Sequence, residues 1–107
     1  MREDASTYPF WLEEAAEAGR ARLGLSEAFL EALGAPCVGL ELLAAGTRVA
    51  RGEALGLLHT ATRTLDLRAP FGLELLALNP AAVGDPALVR RSPYGRGWLA
   101  EVRRLDP

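Results

Sequence analysis

One hexapeptide, Gly-Leu-Glu-Leu-Leu-Ala, occurs twice in the chain, at residues 39–44 and again at residues 72–77. Ala-Pro precedes each copy within a few residues, at Ala35-Pro36 and at Ala69-Pro70. Repetition of a unit is typical of a chain with two similar halves, but two copies are too few for a solenoid. The repeat therefore predicts a small β domain with pseudo-two-fold symmetry.

The segment between the two copies, residues 55–70, predicts a β-hairpin. Its polar tip is His59-Thr60-Ala61-Thr62-Arg63. After the tip, Leu65 and Leu67 alternate with polar side chains, and this period of two is typical of a strand with one buried face. We expect the tip itself to be exposed.

The rest of the chain predicts further short strands and one clear helix. The helix is Ser26–Leu33, since Ser26 offers an N-cap, Gly34 offers a left-handed C-cap and Pro36 prevents continuation. Strands are expected at Tyr8–Leu12, Arg20–Leu25, Cys37–Leu43, Glu53–Leu58, Thr64–Arg68 and Gly72–Leu78, with a closing segment at Leu99–Arg103. The pattern implies a mainly β fold with one short helix, a small barrel or sandwich.

Three other segments are less regular. Glu13–Ala18 favours helix by propensity, but a strand end followed by a loop also fits, and both alternatives stay open. Asn79-Pro80 is a turn signal. Asp85–Val89 fits at most one helical turn, with Asp85 as the cap and Pro86 in the first position.

Length and composition restrict the functional classes. With 107 residues, the chain is expected to form one domain at residues 8–107 behind a flexible N-terminus at residues 1–7. It has no apolar run long enough for a membrane span, and its single cysteine makes the cytoplasm the expected compartment. A net charge of −2 without a concentrated basic face argues against nucleic-acid binding.

Every basic side chain other than the single histidine is an arginine, so the chain contains no lysine. A guanidinium keeps its charge and its delocalised nitrogens at any accessible pH. The side chains therefore offer no primary amine for covalent chemistry.

Several motifs occur together in an order and at a spacing that resemble one family. They are the strand-and-helix passage at residues 21–34, Gly46-Thr47-Arg48-Val49, Ala69-Pro70, Asn79, and the ending Asp85-Pro86-Ala87-Leu88-Val89 with Pro93-Tyr94-Gly95-Arg96-Gly97-Trp98-Leu99. From about Phe10 to Asp106 the sequence resembles the H protein of the glycine cleavage system, a relative of lipoyl and biotinyl carrier domains. The resemblance implies a barrel-sandwich hybrid fold, which agrees with the repeated hexapeptide.

The resemblance also implies a carrier role that this chain cannot fill in the usual way. In the family, a lysine at the hairpin tip carries lipoate, which moves an aminomethyl group from the glycine decarboxylase to the tetrahydrofolate-dependent aminomethyltransferase. The family's Glu-Ser-x-Lys aligns, counted from Ala69-Pro70, onto His59-Thr60-Ala61-Thr62. Thr62 thus stands at the lysine position. An amide-linked arm needs an amine, so we expect no bound cofactor.

The residues expected to contact partners are the polar tip and the arginines near the C-terminus: His59, Thr60, Thr62, Arg63, Arg90, Arg91 and Arg96. No catalytic or metal-binding residue is predicted, because His59 has no second ligand at metal spacing and nothing in the sequence orients it as a base. Cys37 lies in an apolar strand, where an inert buried thiol is usual. Trp11 and Trp98 are expected in the core, with Gly95 and Gly97 forming a turn that seats Tyr94 and Trp98.

Three functional hypotheses follow. The leading one is a non-enzymatic, lipoate-free H-protein homologue that acts through protein contacts, including contacts with glycine cleavage enzymes. The alternative is a small-molecule binder that uses the family's lipoyl-docking cleft without the arm. The least favoured is a hydrolase that uses Cys37 or His59.

Overall fold

A computed structural model describes residues 7–105 of the chain. Within them the chain forms eight strands and three short helices: β1 (Phe10–Glu14), β2 (Arg20–Leu25), α1 (Glu27–Leu33), β3 (Gly39–Leu42), β4 (Arg48–Val49), β5 (Ala54–His59), β6 (Thr64–Arg68), β7 (Leu73–Leu78), α2 (Pro80–Gly84), α3 (Ala87–Arg91) and β8 (Ala100–Arg104). The flexible N-terminus predicted at residues 1–7 lies outside the described residues, apart from Thr7, which is buried.

The strands form two antiparallel sheets. The larger sheet has the order β1-β2-β8-β7-β4, and the smaller has the order β3-β5-β6. The mainly β barrel-sandwich class is therefore confirmed, and the two copies of the hexapeptide lie in different sheets, in β3 and in β7.

The core lies between the inward faces of the sheets, and α1 closes one side. Alternate residues of β2, Ala21, Leu23 and Leu25, are buried as their period of two predicts. Helix α1 adds Leu30, which is 4% exposed. Its caps are those expected: Ser26 Oγ accepts from the Phe29 N–H, and Gly34 has φ 65°.

The tryptophans divide between two environments. Trp11 is 1% exposed and packs so closely on Gly24 that a Cβ there would overlap its ring. The Trp11 indole N–H donates to the Pro93 carbonyl at 2.8 Å. Trp98, also predicted as core, is only half-buried, and the Arg22 guanidinium lies 4.5 Å from its ring centroid. The expectation for Trp98 is therefore wrong: its ring lies at the surface, where it packs against the Arg22 guanidinium.

Residues 13–18 follow the strand-and-loop alternative. Glu13 pairs with Arg22 and Glu14 with Ala21, so β1 extends to Glu14, and a turn leads to Gly19 at φ 82°. Pairing with β2 thus outweighs a helix propensity that is worth only tenths of a kcal/mol, on the order of 0.5, per residue.

The region after β7 contains two helices that the sequence analysis missed or misplaced. Asn79-Pro80 does not form a simple turn but begins α2, where Asn79 Oδ1 accepts from the Ala81 N–H and Pro80 occupies the first turn. Asp85 does not cap α3: Pro86 holds that position without a side-chain cap, and the Asp85 carboxylate instead meets Arg91 at 3.0 Å. Asn-Pro and Asp-Pro suit both turns and helix starts, so the sequence alone does not separate them.

Several predicted strands have different ends in the structure. The first begins at Phe10 rather than Tyr8, β3 is limited to Gly39–Leu42 within the predicted 37–43, and the closing strand runs to Arg104. Between β3 and β5, Arg48–Val49 forms the short strand β4 against Leu73 and Glu74. These differences leave the β5–β6 hairpin in the predicted place, where it supplies two of the three strands of the smaller sheet.

Candidate functional site

The hairpin tip is a compact four-residue turn, Thr60–Arg63, between β5 and β6. The Thr60 N–H donates to the Arg63 carbonyl at 2.9 Å. The Thr60 hydroxyl oxygen accepts from the Arg63 N–H at 3.1 Å and from the Thr62 N–H at 3.4 Å. Thr60 is buried, 7% exposed, whereas Thr62 and Arg63 are exposed. The side chain of Thr60 thus holds the turn and presents Thr62 at its surface.

His59 lies in β5 rather than in the tip. Its Nε2 lies 2.5 Å from Glu41 Oε2, and its Nδ1 lies 3.0 Å from Thr64 Oγ1. These three side chains come from adjacent strands, because Gly39 pairs with His59 and His59 pairs with Thr64. Glu41 and Thr64 were not among the predicted site residues, since only the register of β3 on β5 brings Glu41 to the imidazole.

The arginines expected to meet partners have different environments. Arg90 Nη1 donates to the carbonyls of Leu30 and Ala35 at 3.0 and 3.1 Å, at the C-terminal end of α1. Arg91 pairs with Asp85, and Arg96 is exposed in the loop after α3. A guanidinium beside the last carbonyls of a helix stabilises the negative end of its dipole. Arg90 therefore has a structural contact in addition to its exposed surface.

Residues 35–38 contact both Arg90 and His59. The Ala35 carbonyl accepts from Arg90, and the Val38 N–H donates to the His59 carbonyl at 2.8 Å. Val38 itself is an exposed apolar residue, 59% accessible. Two of the expected contact residues, His59 and Arg90, thus form hydrogen bonds with residues 35–38.

Cys37 is buried within this segment, 3% exposed. Burial raises the pKa of the Cys37 thiol above its ordinary value, although the charge of Arg90 acts in the opposite direction. Both ring nitrogens of His59 contact other side chains, Glu41 and Thr64. The Cys37–His59 pair needed for a cysteine hydrolase is therefore not formed.

Two surface grooves border the β1–β2 hairpin, with volumes of about 390 and 290 Å³. The second has an apolar floor of Leu12, Phe71 and Val102. Neither groove is lined by residues of the tip or by Arg90, Arg91 or Arg96. The small-molecule alternative therefore stays a prediction.

Two further classes of site concern the part of the chain that the structure describes. There, no cluster of three or more His, Cys, Asp or Glu side chains is placed to hold a metal ion. Across the same residues, each helix is too short to cross a membrane.

Comparison with known proteins identifies the family. A family model described as Glycine cleavage H-protein matches residues 3–107. The chain belongs to this family. It is 35% identical over 96 residues to the glycine cleavage system H protein of Micrococcus luteus, an alignment that covers 90% of this chain and 74% of the relative. It is 36% identical over 95 residues to that of Corynebacterium jeikeium, covering 87% and 74%.

A solved structure of an H protein agrees with both the family and the fold. The crystal structure of the glycine cleavage system H protein from Mycobacterium marinum superposes with a TM-score of 0.79 at 33% identity. The superposition covers 94% of this chain and 80% of that one. The resemblance seen in the sequence motifs is thereby confirmed.

The tip of this H-protein homologue does not fit an amide-linked prosthetic group. Its exposed residues Ala61, Thr62 and Arg63 supply a methyl group, a hydroxyl and a guanidinium. Amide formation requires a nucleophilic amine, and the chain has no lysine at the tip or elsewhere.

Proposed function

We propose that this chain is a lipoate-free member of the H-protein family that acts through protein contacts, without catalysis of its own. The observation that carries the proposal is the combination of an exposed threonine, Thr62, at the hairpin tip and the absence of lysine from the sequence. The partners proposed are enzymes of glycine cleavage, which the chain would engage as a regulator or decoy.

The geometry of the tip supports a contact role. Three hydrogen bonds to Thr60 close the turn, so Thr62 and Arg63 are held in a defined position. An ordered turn loses little conformational entropy when it binds, and this loss is a main cost of association.

The exposed arginines of this chain favour a partner that presents an acidic surface. Four of the expected contact residues are exposed arginines: Arg63, Arg90, Arg91 and Arg96. The Glu41 carboxylate, beside the tip, pairs with His59. Complementary charge of this kind increases the association rate and selects partners.

Binding to the purified glycine decarboxylase and aminomethyltransferase tests the proposal. We expect a complex that weakens as salt is added, because exposed charge contacts are screened. Arg63→Glu should weaken it by at least about tenfold, since like charges across an interface cost more than a kcal/mol. Arg51→Glu, which reverses an exposed arginine in the turn before β5, is the matched control and should bind normally.

Absence of a complex with either enzyme at low salt would contradict the glycine-cleavage part of the proposal. Equal losses in Arg63→Glu and Arg51→Glu would show that net charge, rather than the tip, governs binding.

Thr62→Lys tests whether the tip retains carrier geometry. The substitution restores an amine at an exposed position and should leave the turn intact, because Thr62 contributes its backbone N–H to the turn while its side chain is exposed. We expect a lipoate ligase to modify Thr62→Lys, and intact mass would detect it. Arg63→Lys, one residue away, should be a poor substrate.

A further inference from the structure

We propose that Glu41, His59 and Thr64 form an acyl-accepting site, in which Thr64 Oγ1 takes an acyl group from an activated ester or thioester. The site lies below the tip, on the outward face of the smaller sheet. The proposal does not rest on the protein-contact function above.

The three side chains are adjacent because three strands place them there. Glu41 is in β3, His59 in β5 and Thr64 begins β6, and the ladder pairs His59 directly with Thr64. The Glu41 carboxylate lies 2.5 Å from His59 Nε2, and the Thr64 hydroxyl lies 3.0 Å from His59 Nδ1. A hydroxyl becomes an activated nucleophile when it is hydrogen-bonded to an imidazole that a carboxylate orients, and this is the arrangement found here.

Glu41 also determines which ring nitrogen acts as the base. A carboxylate only accepts, so Nε2 carries the hydrogen that it donates to Glu41. In neutral imidazole, Nδ1 then has the lone pair, which faces the Thr64 hydroxyl hydrogen. In the sequence nothing orients the His59 ring as a base, whereas in the structure Glu41 does so.

Thr64 is accessible, and its backbone can assist. β6 is the outer strand of its sheet. In an antiparallel ladder, residue pairs joined by backbone hydrogen bonds alternate with pairs that are not. The Thr60 N–H donates to the Arg63 carbonyl, so the backbones of the next pair, His59 and Thr64, do not hydrogen-bond to each other. The Thr64 N–H therefore points to the open edge, where it can donate to the oxyanion formed beside its own hydroxyl.

The neighbouring surface favours a short apolar acyl group. Leu57 lies two residues before His59 on the same face of β5 and is half-buried. It is the apolar side chain adjacent to the imidazole on that face, while Asp66 and Arg68 on β6 are charged. Leu57 can therefore contact an acyl chain of a few carbons.

The reaction is a single acyl transfer. Thr64 Oγ1 attacks the acyl carbonyl carbon as the hydroxyl proton passes to His59 Nδ1. The bond from that carbon to the leaving oxygen or sulfur breaks, and the proton on Nδ1 is given to the leaving group. The products are O-acyl threonine and an alcohol or thiol, and no oxidant or further reactant is needed.

Incubation with p-nitrophenyl acetate tests the proposal. We expect about one equivalent of nitrophenolate to be released, with the acetyl group on Thr64, as a stoichiometric step without turnover predicts. Trypsin cleaves after Arg63 and Arg68, so Thr64 lies in a peptide of its own, residues 64–68, separate from Thr60 and Thr62. The absence of lysine removes the usual background of side-chain acetylation.

Four variants separate chemistry from folding. Thr64→Val should abolish acetylation of the 64–68 peptide, and Thr47→Val, which removes a hydroxyl in the turn before β4, should not. His59→Gln should slow the reaction by about a hundredfold, the usual contribution of a general base. Glu41→Gln, which alters a positioning residue, should slow it while leaving the denaturation midpoint nearly unchanged.

Acetylation confined to the chain's N-terminus or spread evenly over several threonines would overturn the proposal. So would a rate on Thr64 that His59→Gln does not change, because Thr64 would then react without the imidazole.

Discussion

The two copies of Gly-Leu-Glu-Leu-Leu-Ala meet different surroundings. The second copy provides most of β7, which lies inside the larger sheet between β8 and β4. The first provides β3, which among the described strands pairs with β5 alone. Leu73 and Leu75 of the second copy are both 0% exposed, whereas in the first copy Leu40 is buried and Leu42 is only half-buried.

The glutamates at matching positions differ as well. Glu74 faces Arg103 at 3.8 Å on the larger sheet. Glu41 meets His59, the only histidine of the chain, on the smaller sheet. Identical sequence therefore sets the alternation of each strand, while the neighbouring strands decide whether a position serves the core or a surface site.

The largest expected difference is between the matching leucines Leu75 and Leu42. Leu75→Ala should lower the free energy of unfolding by about 2–5 kcal/mol, because it leaves a cavity between two sheets. Leu42→Ala should lower it by about 1 kcal/mol, since the edge strand can relax and the side chain is already partly hydrated. Urea denaturation of both variants measures the difference, and equal losses would contradict the contrast between the strands.

A smaller difference is expected between Glu41→Gln and Glu74→Gln. Both pairs are partly exposed, so each variant should change the free energy of unfolding by less than about 1 kcal/mol. The two should differ in the His59 ring ¹⁵N resonances, which Glu41→Gln should shift and Glu74→Gln should leave in place. Unchanged resonances in Glu41→Gln would show that the Glu41–His59 contact is not populated in solution.

The smallest expected effect is the pH dependence of stability that the Cys37 thiol contributes, and it should appear only at alkaline pH. Cys37 lies two residues before the first copy. Burial raises the pKa of the thiol in the folded state, so the folded chain holds the proton more tightly than the unfolded chain. This stability is fully present below the unfolded pKa and is lost as the pH rises through the folded pKa. As the pH becomes alkaline, the free energy of unfolding of the native chain should fall relative to that of Cys37→Ala. Parallel profiles of unfolding free energy against pH for the two proteins would contradict this.

Local patterns predicted most of the fold. Period-two alternation located β2 and β6, and Ser26 with Gly34 delimited α1. The errors lie where two local signals compete, as at Asn79-Pro80, or where pairing outweighs propensity, as at Glu13 and Glu14. Neither kind of error can be resolved without knowing which strands become neighbours.

The candidate site was predictable only in part. The tip and Thr62 follow from the hairpin pattern and from the family motif, because both are local in sequence. The contact between His59 and Glu41 spans 18 residues and depends on the register of β3 on β5. No periodicity in either strand specifies that register, so Glu41 was found only in the structure.

The measurement that tests the central claim most directly is the intact mass of the native chain after co-expression with a lipoate ligase and its substrate. The account predicts the mass of the unmodified polypeptide, with Thr62→Lys gaining one lipoyl group under the same conditions. A lipoyl group covalently bound to the native chain would contradict it.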